Sequence, residues 1–340
     1  MDTIYRRMMI YSLFLLLFTT AAIAQDGYKT IVKLTDLSNE AILQKMQTNA
    51  TEMLSGINEA YFQNRKPDLK DGTVTNEARE ILTSLWETSP FRCSETQIIE
   101  RVLLMTSKKE KTYQVRNIPV FIKNVFDEND SASAASEEAH YHEICLTFNN
   151  KGIIENIFYS LEANSYKNLL NQGASVTDIR RREFILDFIE NFRTAYNRKD
   201  IEFLQKVFSE DALIITGKII KAETSDMMNR IGGLKVEYQK QTKKEYMDKL
   251  KTRVFKYNKY IDVVFEGIKI TEDRGYPEIY GVNLKQYWTT TSYKDVGYLF
   301  LMIDFKDDNN PVIHVRTWQP EEITKTDQEI FDLGSFNIER

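Results

Sequence analysis

The chain is poor in the residues from which reactive centres are commonly assembled. Its 340 residues include two cysteines, Cys93 and Cys145, and three histidines. Two cysteines cannot by themselves close a structural zinc site. No G-x-S-x-G elbow, Walker A loop, G-x-G-x-x-G turn or H-E-x-x-H helix occurs. The short signatures of hydrolase, nucleotide-binding and zinc-peptidase chemistry are therefore missing. The formal net charge is only −5, and no basic face points to nucleic acid. Lys108-Lys109 and Lys243-Lys244 have acids nearby and read as solvated faces. Beyond the N-terminus, no apolar run approaches the roughly 18 residues of a bilayer span.

What is present begins with a leader. Arg6-Arg7 precede an apolar stretch from Met8 to Thr19, and Ala22-Ile23-Ala24 has the A-x-A form of a cleavage site. This pattern predicts a secretory signal peptide over residues 1–24, cut between Ala24 and Gln25. No cysteine stands at the cut, which argues against a lipid anchor. The mature chain, near −6 once Arg6, Arg7 and Asp2 are gone, is expected to be soluble and exported, periplasmic in a Gram-negative host. Export permits a Cys93–Cys145 disulfide; the other reading is two buried small hydrophobes.

The mature chain reads as α+β. Residues 39–64 carry Ile42, Met46, Met53, Leu54 and Ile57 on one helical side, and residues 75–87 carry Ile81, Leu82, Leu85 and Trp86 on another. Strand-like runs follow at 91–105, 113–126, 139–148 and 153–161, with an acidic small-residue stretch over 127–138 read as a loop. A joint is placed near Gly173. In the second half, Phe184, Ile185, Phe188, Ile189, Phe192, Ala195 and Tyr196 form one helical stripe. Asp200 is placed to cap a short helix bearing Ile201, Leu204 and Phe208. Ala212–Ile215 is a strand, and Thr242 with Glu245 matches a capping box for a third helix. Residues 222–241 read as an insertion, and four strands span about 260–271, 278–291, 296–306 and 311–318. The two halves end alike, in CLTFNNKGIIENIFYSLE and LMIDFKDDNNPVIHVRTWQPE. They read as tandem units, the first reduced: 25–172, then 173–320, then a tail at 321–340.

The order long helix, short helix, "SEDALII" strand resembles the opening of the nuclear transport factor 2-like (SnoaL-like, ketosteroid isomerase-like, cystatin-like) superfamily over about 178–320. That resemblance implies a curved antiparallel sheet wrapped over helices, in a fold that hosts enzymes and binding modules alike. In members with ketosteroid isomerase-type activity a cavity carboxylate works with Tyr or Asp donors. Asp211, Asp262, Asp304, Tyr196 and Tyr287 are the corresponding candidates, though none sits in a matching motif, and no catalytic residue is assigned.

The ligand-binding candidates are Trp288, His314, Arg316 and Trp318. His314, Arg316 and Trp318 share one strand face, opposite Ile313, Val315 and Thr317. With the apolar set over the helices, the His-Arg-Trp set is expected on the outer face. The resembled superfamily often dimerises there, and here the two halves could pack as an intramolecular pseudo-dimer. The pocket reading has Arg316 binding an anion, with Trp288 or Trp318 as a wall. His140 and His142, with Glu138, share a strand face but make a weak metal signal; neither metal nor cofactor is expected. Ile330-Phe331 and Leu333 to Ile338 read as an apolar tail that docks on the first domain or adds a strand to a partner. The functional expectation is an exported, non-enzymatic binding or interaction module, its partner an unidentified small molecule or envelope protein. The alternative is an isomerase- or hydrolase-like enzyme with its cavity in the second unit.

Overall fold

The computed structural model describes residues 28–35, 37–93, 96–99, 103–106, 111–122, 141–173, 176–221, 234–291, 293–308, 310–322 and 330–336. The expected leader, the acidic stretch 127–138 and His140 lie outside the described residues, as do Met227-Met228 and Gly232-Gly233 of the expected insertion. No described helix is long and apolar enough to cross a membrane. The chain divides into two compact units between Ser160 and Leu161.

The first unit runs β1 (Ile31–Leu34), α1 (Glu40–Phe62), α2 (Asn76–Thr88), β2 (Phe91–Cys93), β3 (Thr96–Ile99), β4 (Leu103–Thr106), β5 (Lys111–Ile122), β6 (Tyr141–Phe148) and β7 (Ile154–Ser160). The single strand expected over 91–105 is three short ones. Both helices start at side-chain caps, Asn39 accepting from the Ile42 N–H and Thr75 from that of Ala78. The sheet order is β2-β5-β6-β7, with β4 also on β5. Among the described residues β1 pairs only with β3, in parallel. Its other backbone donors go to α1: Thr30, Val32 and Leu34 N–H bond Ser55, Thr51 and Gln47 at 3.1, 3.1 and 2.9 Å. The fit is metrical, since four helical residues and two strand residues each advance about 6–7 Å.

The second unit opens with α3 (Ala163–Asn171), α4 (Val176–Asn197) and α5 (Ile201–Val207). Leu161, Tyr166 and Leu169 lie in its core, so α3 belongs here and the division falls ahead of the expected joint at Gly173. The α4 stripe is buried from Ile185 to Tyr196, and Glu190, Arg193 and Thr194 within it are buried too. Lys199 closes the helix at φ 58°, with Asp200 N–H bonding Ala195 O at 2.8 Å. This is the left-handed C-terminal close of a helix. Asp200 then caps α5 through the Phe203 N–H.

The sheet follows: β8 (Phe208–Lys221), β9 (Leu234–Gln241), β10 (Ile261–Glu272), β11 (Ile279–Thr290), β12 (Lys294–Asp304) and β13 (Val312–Pro320), in the order β10-β11-β12-β13-β8-β9. It is antiparallel apart from β13 on β8. The latter half of the expected insertion is strand β9 rather than loop. α6 (Lys243–Lys249) begins at the Thr242–Glu245 capping box and continues as one π-turn, Leu250–Phe255. β10 is bulged between Glu266 and Lys269, where Gly267 takes φ 59°. Such a bulge bends the strand and increases its twist.

The tail differs from expectation. It returns to its own sheet, where Phe331, Leu333 and Phe336 cover Ile279, Phe300, Met302 and Val315. Phe300 and Phe336 stack at 5.6 Å. Phe331 is held at both backbone groups, its N–H by Gln319 Oε1 and its carbonyl by Asn283 Nδ2, each at 2.7 Å. Gly281 permits the approach, since a Cβ there would meet Leu333 Cβ at 3.2 Å.

Candidate functional site

Strand β13 carries the decisive irregularity. Met302 pairs with Val315 and the next residue, Ile303, pairs with Ile313, leaving His314 as an extra residue. A bulge of one residue exchanges the faces beyond it. Ile313 therefore packs with the helices, while Val315 lies under the tail. Arg316 and Trp318 then fall on the helix side, opposite Leu301 and Leu299 of the same core. The outer-face placement of the His-Arg-Trp set is thus corrected: Arg316 and Trp318 point in, and His314 stands at the bulge, 3.7 Å from Asp304.

Arg316 is 5% exposed. Its guanidinium carbon lies 5.1 Å from the centre of the Tyr246 ring, a cation–π distance. The Tyr246 and Tyr196 hydroxyls are 2.8 Å apart, and Arg316 is the cationic neighbour of both. Burial first, and the adjacent Tyr246 second, push the Tyr196 phenol well above its ordinary range, so it stays protonated. The Tyr196 ring meets Trp288 edge-on at 5.5 Å. Trp318 lies across Gly297, where a Cβ would meet its indole at 2.7 Å. The cross-strand row Leu301, Arg316, Ile214, Gln241 brings the Gln241 carboxamide onto the same face. Arg316 Nε and Nη1, Trp318 Nε1 and Gln241 Nε2 are buried without an acceptor among the described residues.

The other candidates disperse. Asp211 is exposed and accepts from Ser209, which first among its contacts holds its carboxyl below the usual range. Asp262 alternates with the inward Ile261 and Val263. Tyr287 alternates with inward Trp288 and takes Lys285 over its ring at 5.2 Å. Asp295, not foreseen, lies opposite Trp288; burial holds its carboxyl above the usual range, with the Tyr293 hydroxyl donating to it. His142 is buried against the Tyr159 ring at 5.2 Å. Cys93 and Cys145 are free thiols, both buried; the permitted disulfide is not formed. Tyr246 and Gln241 were missed because nothing local distinguishes a helix tyrosine or a strand glutamine aimed at a distant arginine.

The first unit carries an open groove of about 810 Å³ lined by Tyr28, Ile31, Glu52, Glu59 and Lys70 among others. Two of its carboxylates are already matched: Glu52 pairs with Lys70 and Glu59 with Arg65, each at 3.1 Å. The buried Arg316 guanidinium of the second unit is the stronger demand for a ligand.

The second unit runs three helices, two strands, a fourth helix and four closing strands around one aromatic-rich core. That is the architecture implied by the resemblance to the nuclear transport factor 2-like superfamily; the first unit is also α+β, two helices with a sheet of its own. No protein-family model matches the chain, and no curated protein matches it. Among solved structures it is similar to a nuclear transport factor 2-like protein from Cytophaga hutchinsonii, at 14% identity over 41% of this chain and 98% of that one, TM-score 0.31. It is similar to Bd1075 of Bdellovibrio bacteriovorus at 15% identity, covering 64% of this chain and 75% of that one, TM-score 0.32. ActVI-ORFA from Streptomyces coelicolor matches at 8% identity over 42% of this chain and 97% of that one, TM-score 0.30. Each is a partial likeness at low identity, and no activity passes from any of them to this chain.

Proposed function

We propose that the chain is an exported, non-enzymatic binding module of the periplasm or cell envelope. It holds a small ligand between the helices and the inward sheet face of its second unit, with Arg316, Trp288 and Trp318 in contact with that ligand and His314 outside it. One observation carries the reading. Arg316 is buried beside two tyrosine hydroxyls with no carboxylate among the described residues to neutralise it. A buried charge without a partner is costly, and folds retain one where something else completes it. The leader at residues 1–24 supports export.

A thermal-shift screen on the chain from Gln25, using neutral, cationic and anionic small molecules, tests it. At least one class should raise the melting temperature, and Trp288→Leu should abolish that rise. A rise that survives in Trp288→Leu, or no rise with any class, refutes the reading. Recovery of the expressed chain from the periplasm with Gln25 at its N-terminus tests the leader.

The enzymatic alternative has one observation in its favour. The Tyr196–Tyr246 hydroxyl pair beside a cation resembles a donor set for a developing oxyanion. The groups acting on Tyr196 are Tyr246 and Arg316, so no carboxylate is assigned as the base of such chemistry. Turnover of an enolisable ketone, lost in Tyr196→Phe, would favour this alternative over simple binding.

A further inference from the structure

We propose that the ligand is a flat, apolar carboxylate: its carboxylate group is seated against Arg316, and its body lies against Trp288 and Trp318. The proposal rests on the binding reading above and adds the chemical class. Its ground is the one-sided character of the polar groups gathered on the inward face. Arg316 Nε and Nη1, Trp318 Nε1 and Gln241 Nε2 are all donors, all buried, and all without an acceptor among the described residues. Guanidinium and indole can only donate. Such a set selects for an acceptor-rich group.

The charge is specified too. Arginine remains protonated in any protein environment, and its charged-group neighbourhood here holds no carboxylate, Tyr196 being kept protonated by its burial. One buried positive charge is balanced by one negative charge. A carboxylate supplies that, whereas a phosphate monoester brings close to two charges near neutral pH. The apolar surroundings select the rest of the molecule. Trp288 packs against the core beside Tyr196, and Trp318 spans the Gly297 notch. Both offer aromatic surface to a planar body.

The test titrates the chain from Gln25 with benzoate and 2-naphthoate. Their neutral amides and phenyl phosphate serve as comparisons, with calorimetry and tryptophan fluorescence as readouts. Two of the three tryptophans belong to the site. The carboxylates should bind at least about tenfold more tightly than the amides, the scale of a charge-assisted hydrogen bond over a neutral one. Arg316→Met should erase that preference, weakening carboxylate binding by about tenfold more than amide binding. Should Arg316→Met fail to fold, Arg316→Lys carries the test, with carboxylate affinity lower by about tenfold because the planar fork is lost. Equal binding of acid and amide by the unaltered protein overturns the proposal. So does carboxylate binding unaffected by the substitution, or a preference for phenyl phosphate. Binding of none of these probes, charged or neutral, would instead count against the binding site itself, which separates the two failures.

Discussion

Asn197 offers the sharpest test of how the second unit is held closed. It is the last residue of α4, 1% exposed. Its Oδ1 accepts the Val263 N–H at 2.9 Å, and its Nδ2 reaches the Val263 carbonyl at 3.4 Å. β10 is the edge of the six-stranded sheet. On an edge strand alternate residues turn both backbone groups away from the neighbouring strand. At Val263, itself 0% exposed, water cannot take them, and the Asn197 amide does. Asn197→Ala strands a buried N–H and weakens the satisfaction of a buried carbonyl. The cost is about 2–3 kcal/mol, most of it from the shorter bond. For a unit of this size that lowers the melting temperature by about 4–12 °C. Urea unfolding followed by tryptophan fluorescence measures it, and the midpoint should fall with the slope unchanged. Asn197→Asp is the informative companion. It keeps the acceptor but faces a carbonyl with a buried carboxylate, so it should be no more stable than Asn197→Ala. A loss below about 0.5 kcal/mol in Asn197→Ala would refute the reasoning, because it lies within the range of an ordinary surface substitution.

Two further outcomes follow from burial. Truncation before Ile330 removes Phe331, Leu333 and Phe336 from the sheet and uncovers Phe300 and Met302. It should cost about 3 kcal/mol and promote self-association seen by size-exclusion chromatography with light scattering; a stable, monodisperse truncated chain would contradict the packing role of the tail. Burial pushes the Cys93 thiol from 9.0 up to about 11, against the lowering effect of its bonds to Thr30 and Asn58. The native chain should therefore resist alkylation at pH 8 and react once unfolded. Because the folded state holds this proton more tightly than the unfolded one, stability should decline as pH rises from about 9 through about 11. Rapid native labelling of Cys93, or a flat stability profile over that window in comparison with Cys93→Ala, would tell against it.

The local devices were legible in the chain itself. The apolar recurrence from Ile185 to Tyr196, the Asp200 cap and the Thr242–Glu245 box each act within a few residues, so their spacing is enough to declare them. The helix order before the "SEDALII" strand was legible for the same reason, and with it the fold of the second unit. The edges of that unit were less so. Leu161, Tyr166 and Leu169 entered the second core because of what they touch, and nothing in a short polar connector announces which core it will join.

The site itself was half legible. Arg316, Trp288 and Trp318 stood out as residues able to grip an anion and a flat body. Their side of the sheet did not. Val312 to Trp318 alternates without a break, and an alternating strand read alone puts Arg316 opposite Ile313. The extra residue at His314 exists only in register with Met302 and Ile303 of another strand, and it turns the arginine inward. Strand pairing is a relation between distant segments, so the composition of a strand can name its residues, while only the assembled sheet decides which of them face the core.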